Sequence, residues 1–362
     1  MRRPGVNWWV AAWSLAVLLA VQAVPARAGQ PYYAGKTVEV IVPFGEGGGT
    51  DVWARFVAPY LQKYLEGNPR VLVRNMPGGE GMAGSNWFAA NARPDGLLLL
   101  ASSGTSVFHW LLDRPQVRYD FDRMVPVVVT ATGGVIYSSP TAARSIRDLL
   151  NPSRPLVYGG ISATGLDLVT LLSFEVLRLN VRSVLGFEGR GPARLAFERG
   201  ETNLDYQTTS AYLTQVVPLI QEGKAVALMS FGILAGPGRL DRDPAVKDLP
   251  TVAEAHQILY GRPPEGPAWR AYLATNTAGF AYQKILWVPQ GTPQEAIAAF
   301  DRAVERMNAD PEFHRQGEAV LGGYPTFGGS QVAEAVRDAL SLSADVKTYL
   351  KDLLRTKFGV RL

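Results

Sequence analysis

The sequence predicts an α/β fold built on a largely parallel sheet. Three times before residue 110, a short apolar segment leads into a polar, glycine-containing turn and then into a segment with helical spacing. Short β-branched runs of this kind are typical of buried parallel strands, and repeated strand–helix alternation is typical of α/β domains. Ligands bind such sheets at the carboxyl ends of the strands. The three turns are therefore the first candidates for a binding site.

The first turn, residues 43–51, follows the apolar strand 38–42 and precedes a helix in which apolar residues recur at helical spacing. Glycines leave backbone N–H groups accessible, and the first N–H groups of a helix lack internal acceptors and carry the positive end of the dipole. Such a turn favours an anion. An alternative is a plain connector in which Thr50 or Asp51 caps the helix. We predict ligand contacts from Phe44, Gly47, Gly48, Gly49, Thr50 and Asp51.

Two nucleotide-binding motifs do not fit this turn. A P-loop requires a lysine followed by a serine or threonine at its end, whereas Gly49 is followed directly by Thr50 and Asp51. A dinucleotide-binding turn requires a third glycine and an acidic residue at the end of the next strand, but that strand ends in Arg74 and Asn75. A carboxylate is thus a better candidate for the anion than a nucleotide phosphate.

The second and third turns repeat the pattern. The strand 71–73 leads into a glycine-rich stretch that contains Gly78, and the strand 97–101 ends close to Ser103. Parallel strands place their carboxyl ends at one edge. We therefore predict that Gly78 and Ser103 lie near the first turn.

Composition limits the class of protein. Residues 1–28 combine an early Arg2-Arg3 pair, a short apolar run and a small-residue cleavage site, which predicts an export signal cleaved after Ala28. The chain has no cysteine, and its net charge of +4 falls to +1 without the three arginines of this segment. This excludes a disulfide scaffold and a nucleic-acid-binding footprint. The three histidines are widely separated, so we expect no metal site and no cofactor.

Three ordered motifs identify a family resemblance. They are the strand and glycine turn through Asp51, the Asn75-Met76-Pro77-Gly78-Gly79 turn, and Pro94-Asp95-Gly96 before a strand. Together they resemble the extracytoplasmic receptors of tripartite tricarboxylate transporters, the Bug family. The resemblance implies a two-lobed periplasmic-binding-protein (Venus flytrap) fold, type II-like, with two crossover strands. It also implies a small carboxylate held between the lobes, partly through waters, and a large and a small integral membrane subunit as partners.

On this resemblance we assign residues 29–132 plus 232–362 to lobe one and residues 133–231 to lobe two. We expect a monomer in the periplasm. The segment 260–282 exceeds the link usual in the family, and we expect its aromatic residues to pack in the core. A capping box is predicted at 292–295, and the last helix is expected to close over lobe one.

Lobe two contains a second strand, glycine and hydroxyl turn at residues 156–165. In the resembled family this turn grips the ligand, so we predict contacts from Ser162, Ala163 and Thr164; a simple N-cap is the alternative. The spacing is one residue too long for a nucleophile elbow. Asp205 is a further candidate, as ligand acceptor or helix cap. Arg190 could fork onto a carboxylate or pair with an acidic residue such as Glu188.

The combined hypothesis is a periplasmic receptor that is not an enzyme. Amides of the first turn would hold one carboxylate, and the amides and hydroxyls of residues 162–164 would hold a second polar group from the facing lobe. Two alternatives stay open: an exported hydrolase or other enzyme acting on an anionic small molecule, and a ligand-sensing receptor no longer coupled to transport. Dicarboxylates, tricarboxylates, acidic amino acids and aromatic acids all fit such a grip.

Overall fold

Two mixed β-sheets organise the protein into two lobes, as seen in a computed structural model that describes residues 30–236 and 239–362. The predicted export signal, residues 1–28, lies outside this part of the chain. The strands are β1 (Thr37–Val42), β2 (Arg70–Asn75), β3 (Leu98–Ser102), β4 (Met124–Thr130), β5 (Gly134–Ser138), β6 (Leu156–Gly160), β7 (Val181–Leu185), β8 (Leu204–Thr208), β9 (Val226–Ser230), β10 (Ile233–Gly236), β11 (Arg239–Asp241), β12 (Lys284–Pro289) and β13 (Thr326–Gly328).

The helices connect these strands and cover both sheets. They are α1 (Gly49–Tyr64), α2 (Met82–Asn91), α3 (Gly104–Leu111), α4 (Asp167–Val176), α5 (Arg190–Glu198), α6 (Thr209–Ala211), α7 (Val217–Gln221), α8 (Val252–Tyr260), α9 (Pro267–Asn276), α10 (Gln294–Asn308), α11 (Pro311–Leu321), α12 (Gly329–Ala339) and α13 (Ala344–Phe358). In the described part of the chain, no helix has the length and apolar character that a membrane crossing requires.

The first sheet has the strand order β13-β4-β12-β3-β1-β2. β1 pairs in parallel with β2 and β3, which confirms the three strand–helix units predicted from the sequence. The sheet as a whole is mixed, because β12 runs antiparallel to both β3 and β4 and β13 runs antiparallel to β4. The amino end of β12 therefore lies at the edge where β1, β3 and β4 end.

The second sheet has the order β7-β6-β8-β5-β9. β6 pairs in parallel with β7 and β8, whereas β5 pairs antiparallel with β8 and β9. All five strands lie between residues 134 and 230, and the first sheet draws on the chain before and after them. The exact lobe boundaries, 132/133 and 231/232, stay a prediction.

Apolar faces of the helices hold the first sheet in place. In α1 the side chains of Trp53, Val57 and Leu61 are buried against the sheet, and in α10 those of Phe300 and Val304 join the same core. The three- and four-residue spacing of these positions is what an amphipathic helix needs to bury one stripe. This packing fixes the position of α1 and therefore of the turn that precedes it.

The C-terminal helix departs from its prediction. α13 does not close over lobe one alone: Lys347 and Lys351 pair with Asp113, which follows α3, whereas Lys357 pairs with Glu175 of α4 in the second lobe. α13 also packs on α9, which packs on α4. Of the aromatic residues in the 260–282 segment, Tyr272 and Phe280 are buried in the core and Trp269 packs against it partly buried, so they pack as expected. α13 therefore joins elements of both lobes.

The capping prediction at residues 292–295 was wrong. α10 begins after Pro293 without a side-chain cap, and the Thr292 hydroxyl donates instead to the carbonyl of Pro289 at 2.7 Å. The proline fixes the helix entry without needing an N–H acceptor. A reciprocal capping box is formed by Thr251 and Glu254 at the start of α8.

Candidate functional site

The turn before α1 is held in shape by the side chain of Asp51. One carboxylate oxygen accepts from the amide of Gly47 at 2.9 Å, and the other accepts from Arg55 and Asn75, each at 2.9 Å. Asp51 is buried and its acceptor capacity faces its own loop. The ring of Phe44 packs on the second turn, where a Cβ on Gly81 would lie only 2.6 Å from it. Both residues thus shape the turn from within.

The first turn of α1 presents uncapped amides. α1 begins at Gly49 with Gly48 as its N-cap, and glycine has no side chain with which to cap the helix. Neither of the two proposed capping residues, Thr50 and Asp51, stands at the N-cap position, since both lie inside the first turn. The amides of this turn therefore have no capping side chain, and their contact with a ligand stays a prediction.

The second lobe approaches this helix end directly. A Cβ placed on Gly49 would lie 3.3 Å from the Thr208 hydroxyl oxygen and 3.7 Å from the Lys284 ammonium nitrogen. Thr208 ends β8 of the second sheet, whereas Lys284 begins β12 of the first. Only glycine leaves free space at this position. Groups from both lobes therefore meet at the amino end of α1.

Lys284 is a buried cation that sequence reasoning missed. It is 6% exposed, and its ammonium donates to the Thr50 hydroxyl at 3.1 Å. No carboxylate of residues 30–236 or 239–362 forms an ion pair with it, and burial lowers the pKa of its ammonium to about 7. The sequence did contain one sign of this residue, because Lys284 directly precedes the apolar residues 285–288 of the same strand. A charged residue at the start of a buried strand is unusual. We call Gly49, Thr50, Thr208 and Lys284 the Lys284 cluster.

The neighbouring residue, Gln283, adds a second buried polar group at this edge. It is 1% exposed, and both atoms of its amide lack a hydrogen-bond partner among the described residues. The strand register places it next to the ends of β3 and β4, one residue before the Lys284–Thr130 pair. Buried amides are nearly always paired, so this one calls for an explanation.

A second contact between the lobes forms at α3. Ser103 caps this helix by accepting from the amide of Thr105, and the Thr105 hydroxyl accepts from the amide of Leu166 in the second lobe at 3.2 Å. Arg114 donates to the Thr164 hydroxyl at 2.9 Å. The predicted residues Ser103 and Thr164 are therefore brought to the same inter-lobe contact. Gly78 is not drawn into it, since its nearest neighbour is Ala83.

Two of the three second-lobe amides in the hypothesis already have partners within the turn. The carboxylate of Asp167 accepts from the amides of Ile161 and Ser162 at 3.1 and 3.2 Å, and the Thr164 amide donates to the Ser162 hydroxyl oxygen at 3.3 Å. The first acidic residue of α4 thus caps this turn internally. The amide of the buried Ala163 and the hydroxyls of Ser162 and Thr164 retain capacity for other partners.

Arg190 and Asp205 form an ion pair beneath that turn. The Arg190 guanidinium pairs with Asp167 at 3.0 Å and with Asp205, which also accepts from the Tyr137 hydroxyl. Burial opposes the charge on Arg190, but Asp205 and its neighbours raise the pKa of the guanidinium well above its ordinary value. Asp205 is fully buried, so it neither caps a helix nor faces the cleft here. Of the alternatives for Arg190, pairing with acidic residues is the one observed, with Asp167 and Asp205 in place of Glu188.

A histidine–glutamate pair lies beside the α3 contact. His109 is fully buried, and its Nε2 lies 3.1 Å from a carboxylate oxygen of Glu80. Burial lowers the pKa of His109 by more than the Glu80 hydrogen bond raises it. The bond from His109 in turn lowers the pKa of Glu80, against the effect of burial. Within the described ranges, no group of three or more metal-ligating side chains is present.

One surface groove lies away from these contacts. It measures about 450 Å³ and runs between α9 and α13, where Arg270, Asp345 and Asp352 line it. None of the predicted binding residues contributes to it. Its walls carry both signs of charge, so it does not favour an anion over a cation.

Comparison with known proteins gives relatives of one kind. No family model matches the chain. Protein BugT of Bordetella pertussis is 28% identical over 297 residues, which cover 80% of this chain and 82% of that protein. Among solved structures, the periplasmic binding protein BugD matches with a TM-score of 0.63 at 20% identity, over 91% of this chain and 99% of that one.

Two further solved structures contain a ligand. MatC of Rhodopseudomonas palustris with bound malate matches with a TM-score of 0.63 at 23% identity, over 86% of this chain and 99% of that one. An R. palustris protein solved with adipate matches with a TM-score of 0.65 at 20% identity, over 89% and 97% of the two chains. At these identities the likeness establishes the two-lobed fold, and both ligands are small dicarboxylates.

Proposed function

We propose that the chain is a member of the Bug/TctC family of periplasmic solute-binding proteins, a binding protein and not an enzyme, on the strength of its 28% identity to BugT and of the shared two-lobed fold. In this proposal it binds a small carboxylate between its lobes and delivers it to the membrane subunits of a tripartite tricarboxylate-type transporter. Malate and adipate, which relatives of the same fold contain, indicate the class of ligand to test first. A di- or tricarboxylate or a related organic acid fits the proposal.

The Lys284 cluster is the observation that carries this proposal. A carboxylate loses its hydration on burial and needs several donors in return. The amino end of α1 offers uncapped amides, Thr50 and Thr208 offer hydroxyls, and Lys284 offers an ammonium without a protein carboxylate. Charge-assisted hydrogen bonds of this kind are among the strongest that proteins form.

The two inter-lobe contacts explain how binding and closure could be linked. A ligand that touches both α1 and Thr208 binds better when the lobes are together, so it shifts the population toward the closed form. The bonds from Arg114 to Thr164 and from Leu166 to Thr105 join the two lobes in this structure, and in the proposal they favour the closed form. The membrane subunits would then recognise the closed shape, as the family resemblance implies.

The other predicted contact residues have more limited roles in the proposal. The hydroxyls of Ser162 and Thr164 and the cap residue Ser103 lie at the α3 contact, where a second polar group of the ligand would reach them. Asp51 orients the α1 turn. Arg190 and Asp205 support the second-lobe turn through Asp167. We assign these last three residues to positioning rather than to direct contact, and we propose that the receptor acts as a monomer with the predicted lobe boundaries.

A thermal-shift screen of the purified protein against carboxylic acids tests the binding function. Malate and adipate are the first probes, and their diamides are matched controls that keep the shape and lose the charge. A ligand that binds only the folded state stabilises it by about 2.7 kcal/mol at 100 times its Kd, and calorimetry then gives the affinity. Equal shifts with acids and diamides, or no shift with any acid, would contradict the proposal.

Uptake measurements test delivery. Cells that lack the receptor gene should lose uptake of the labelled ligand and regain it with the wild-type gene. Unchanged uptake in the deletion strain, with normal ligand binding by the purified protein, would separate this receptor from transport and favour a sensing role.

A further inference from the structure

The proposed carboxylate site contains one group whose charge the protein leaves uncompensated. The groups recorded beside Lys284 are neutral: Thr50 from α1 accepts its hydrogen bond, Thr130 from β4 is its cross-strand partner, and Thr208 from β8 approaches the same point on Gly49. Thr130 in turn contacts the hydroxyl of Thr326 on β13. A buried ammonium is costly unless it is paired.

The nearest carboxylate along α1 does not serve as that pair. Asp51 directs one oxygen at the Gly47 amide and the other at Arg55 and Asn75, so its charge is already compensated. Of the other buried carboxylates near these elements, Asp205 on β8 is bound to Arg190, and Asp243 accepts from the Thr209 hydroxyl and from the Ala245 amide. Among the described residues, neither forms an ion pair with Lys284, whose ammonium is therefore open to a partner from outside the chain.

We propose that a ligand carboxylate binds directly to the Lys284 ammonium and the first-turn amides of α1, and that the lysine takes up a proton from solvent as the ligand enters. This inference rests on the proposed function and names the residue that sets its charge preference. In the step, the neutral amine gains one proton, the carboxylate stays ionised, and the pair forms without any other bond changing. The unpartnered Gln283 amide lies at the same edge, where a second ligand oxygen or hydroxyl can satisfy it.

Burial supplies the reason for proton uptake. It lowers the pKa of Lys284 to about 7 when no anion is present, and an adjacent carboxylate favours the charged form and raises that pKa. Above pH 7 the unliganded lysine is mostly neutral, and the liganded lysine is charged. By linkage, affinity for the carboxylate should fall as the pH rises above 7, and about one proton should be bound per ligand at pH 8 but almost none at pH 6.

Calorimetry with malate and adipate tests the inference. Titrations at pH 8 in buffers of different ionisation heat give the number of protons taken up. Lys284→Met should weaken binding by about 30-fold or more, the range for loss of one partner of a buried charge pair, and should abolish proton uptake. Lys284→Arg should keep binding without proton uptake, since arginine is already charged. Lys224→Met, which changes an exposed lysine paired with Glu222, is the matched control.

The outcomes separate this inference from the function on which it rests. If Lys284→Met binds the carboxylate as tightly as the wild-type protein does, or if it still takes up a proton on binding, the proposed role of Lys284 is wrong. The proposed function as a carboxylate receptor is unaffected by either result. Failure of the wild-type protein to bind any carboxylate in the screen overturns both. Loss of binding and of proton uptake in Lys284→Met, with normal folding by circular dichroism, supports the proposal.

Discussion

Lys284 lies 3.1 Å from the Thr50 hydroxyl and joins the start of β12 to the first turn of α1. The contact places an ammonium where the helix dipole is already positive, so the unliganded protein carries a local excess of positive potential. Such an arrangement lowers stability in the absence of an anion and is typical of a binding site more than of a structural contact.

We predict that Lys284→Met makes the ligand-free protein more stable at pH 6, by on the order of 3 kcal/mol. In the folded protein the pKa of Lys284 is about 7, below its ordinary value of 10.5. Between pH 7 and pH 10.5 the lysine is therefore protonated in the unfolded chain and neutral in the folded one. Wild-type stability should therefore rise as the pH increases from 7 toward 10.5, and the advantage of the variant should shrink over the same window.

Urea unfolding of both proteins at pH 6, 8 and 9.5 measures this difference, with Lys224→Met as control. A difference that stays constant with pH, or a wild type more stable than Lys284→Met at pH 6, would show that Lys284 is not a buried uncompensated charge.

Gly49 is predicted to be essential for binding but not for folding. A methyl group there would lie 3.3 Å from Thr208 and 3.7 Å from Lys284, so Gly49→Ala narrows the space for the ligand and Gly49→Val fills it. We expect Gly49→Val to reduce carboxylate affinity by about 100-fold or more. The valine would displace the ligand from its charge-assisted hydrogen bonds, and the loss of these bonds costs roughly 3 kcal/mol of binding free energy. Calorimetry measures the affinity.

Gly45→Ala is the matched control, because Gly45 lies in the same turn but outside the predicted contact residues. A methyl group there would meet nothing within 4 Å, so near-normal affinity is expected. Equal losses in Gly45→Ala and Gly49→Val would point to the conformation of the whole turn, and unchanged affinity in Gly49→Val would move the site elsewhere.

Arg190 is predicted to be a stability residue. Arg190→Met leaves Asp167 and Asp205 buried without their cation, and removing one partner of a buried ion pair costs about 3–5 kcal/mol. Chemical denaturation should show this loss, whereas Arg199→Met, which removes an exposed arginine paired with Glu201, should change stability little. Ligand affinity measured well below the unfolding midpoint should fall by far less than in Lys284→Met. A stable Arg190→Met protein that has lost binding would instead assign Arg190 to the ligand.

The hydrogen bond from Arg114 to Thr164 is predicted to favour the closed form. Thr164→Val removes the acceptor with little change in shape, and the loss of one such bond, about 1 kcal/mol, should weaken ligand binding by about fivefold, mainly through faster release. Stopped-flow release rates measure this effect. Thr202→Val is the control, because the hydroxyl of this buried threonine has no partner among the described residues. Identical release rates in both variants would contradict the prediction.

The sequence predicted the first three strands of the first sheet because their signals are local. Each of β1, β2 and β3 follows from a short apolar run before a glycine-containing turn, and the uncapped start of α1 follows from Gly48 and Gly49. The strand predicted at the start of the 156–165 stretch is also present, as β6.

Contacts between distant segments could not be predicted from such signals. Nothing near Lys284 in the sequence shows that β12 runs antiparallel between β3 and β4, which is what brings its first residue to α1. The Asp167 cap on the second-lobe turn joins residues only five and six positions apart, so its signal was local and was overlooked. The pairing of Asp167 with Arg190, in contrast, spans 23 residues and depends on the folded sheet. The direction of α13 depends on its partners Asp113 and Glu175, which lie far apart in the chain.

The strand order has a consequence for the order in which the two sheets can form. β4 lies between β12 and β13, both of which begin more than 150 residues after it ends, so the first sheet stays incomplete until both of these late segments have been made. The second sheet comes from one continuous stretch and can assemble earlier in synthesis. A chain interrupted before residue 326 therefore keeps an open hydrogen-bonding edge on β4, a target for proteolysis and for aggregation.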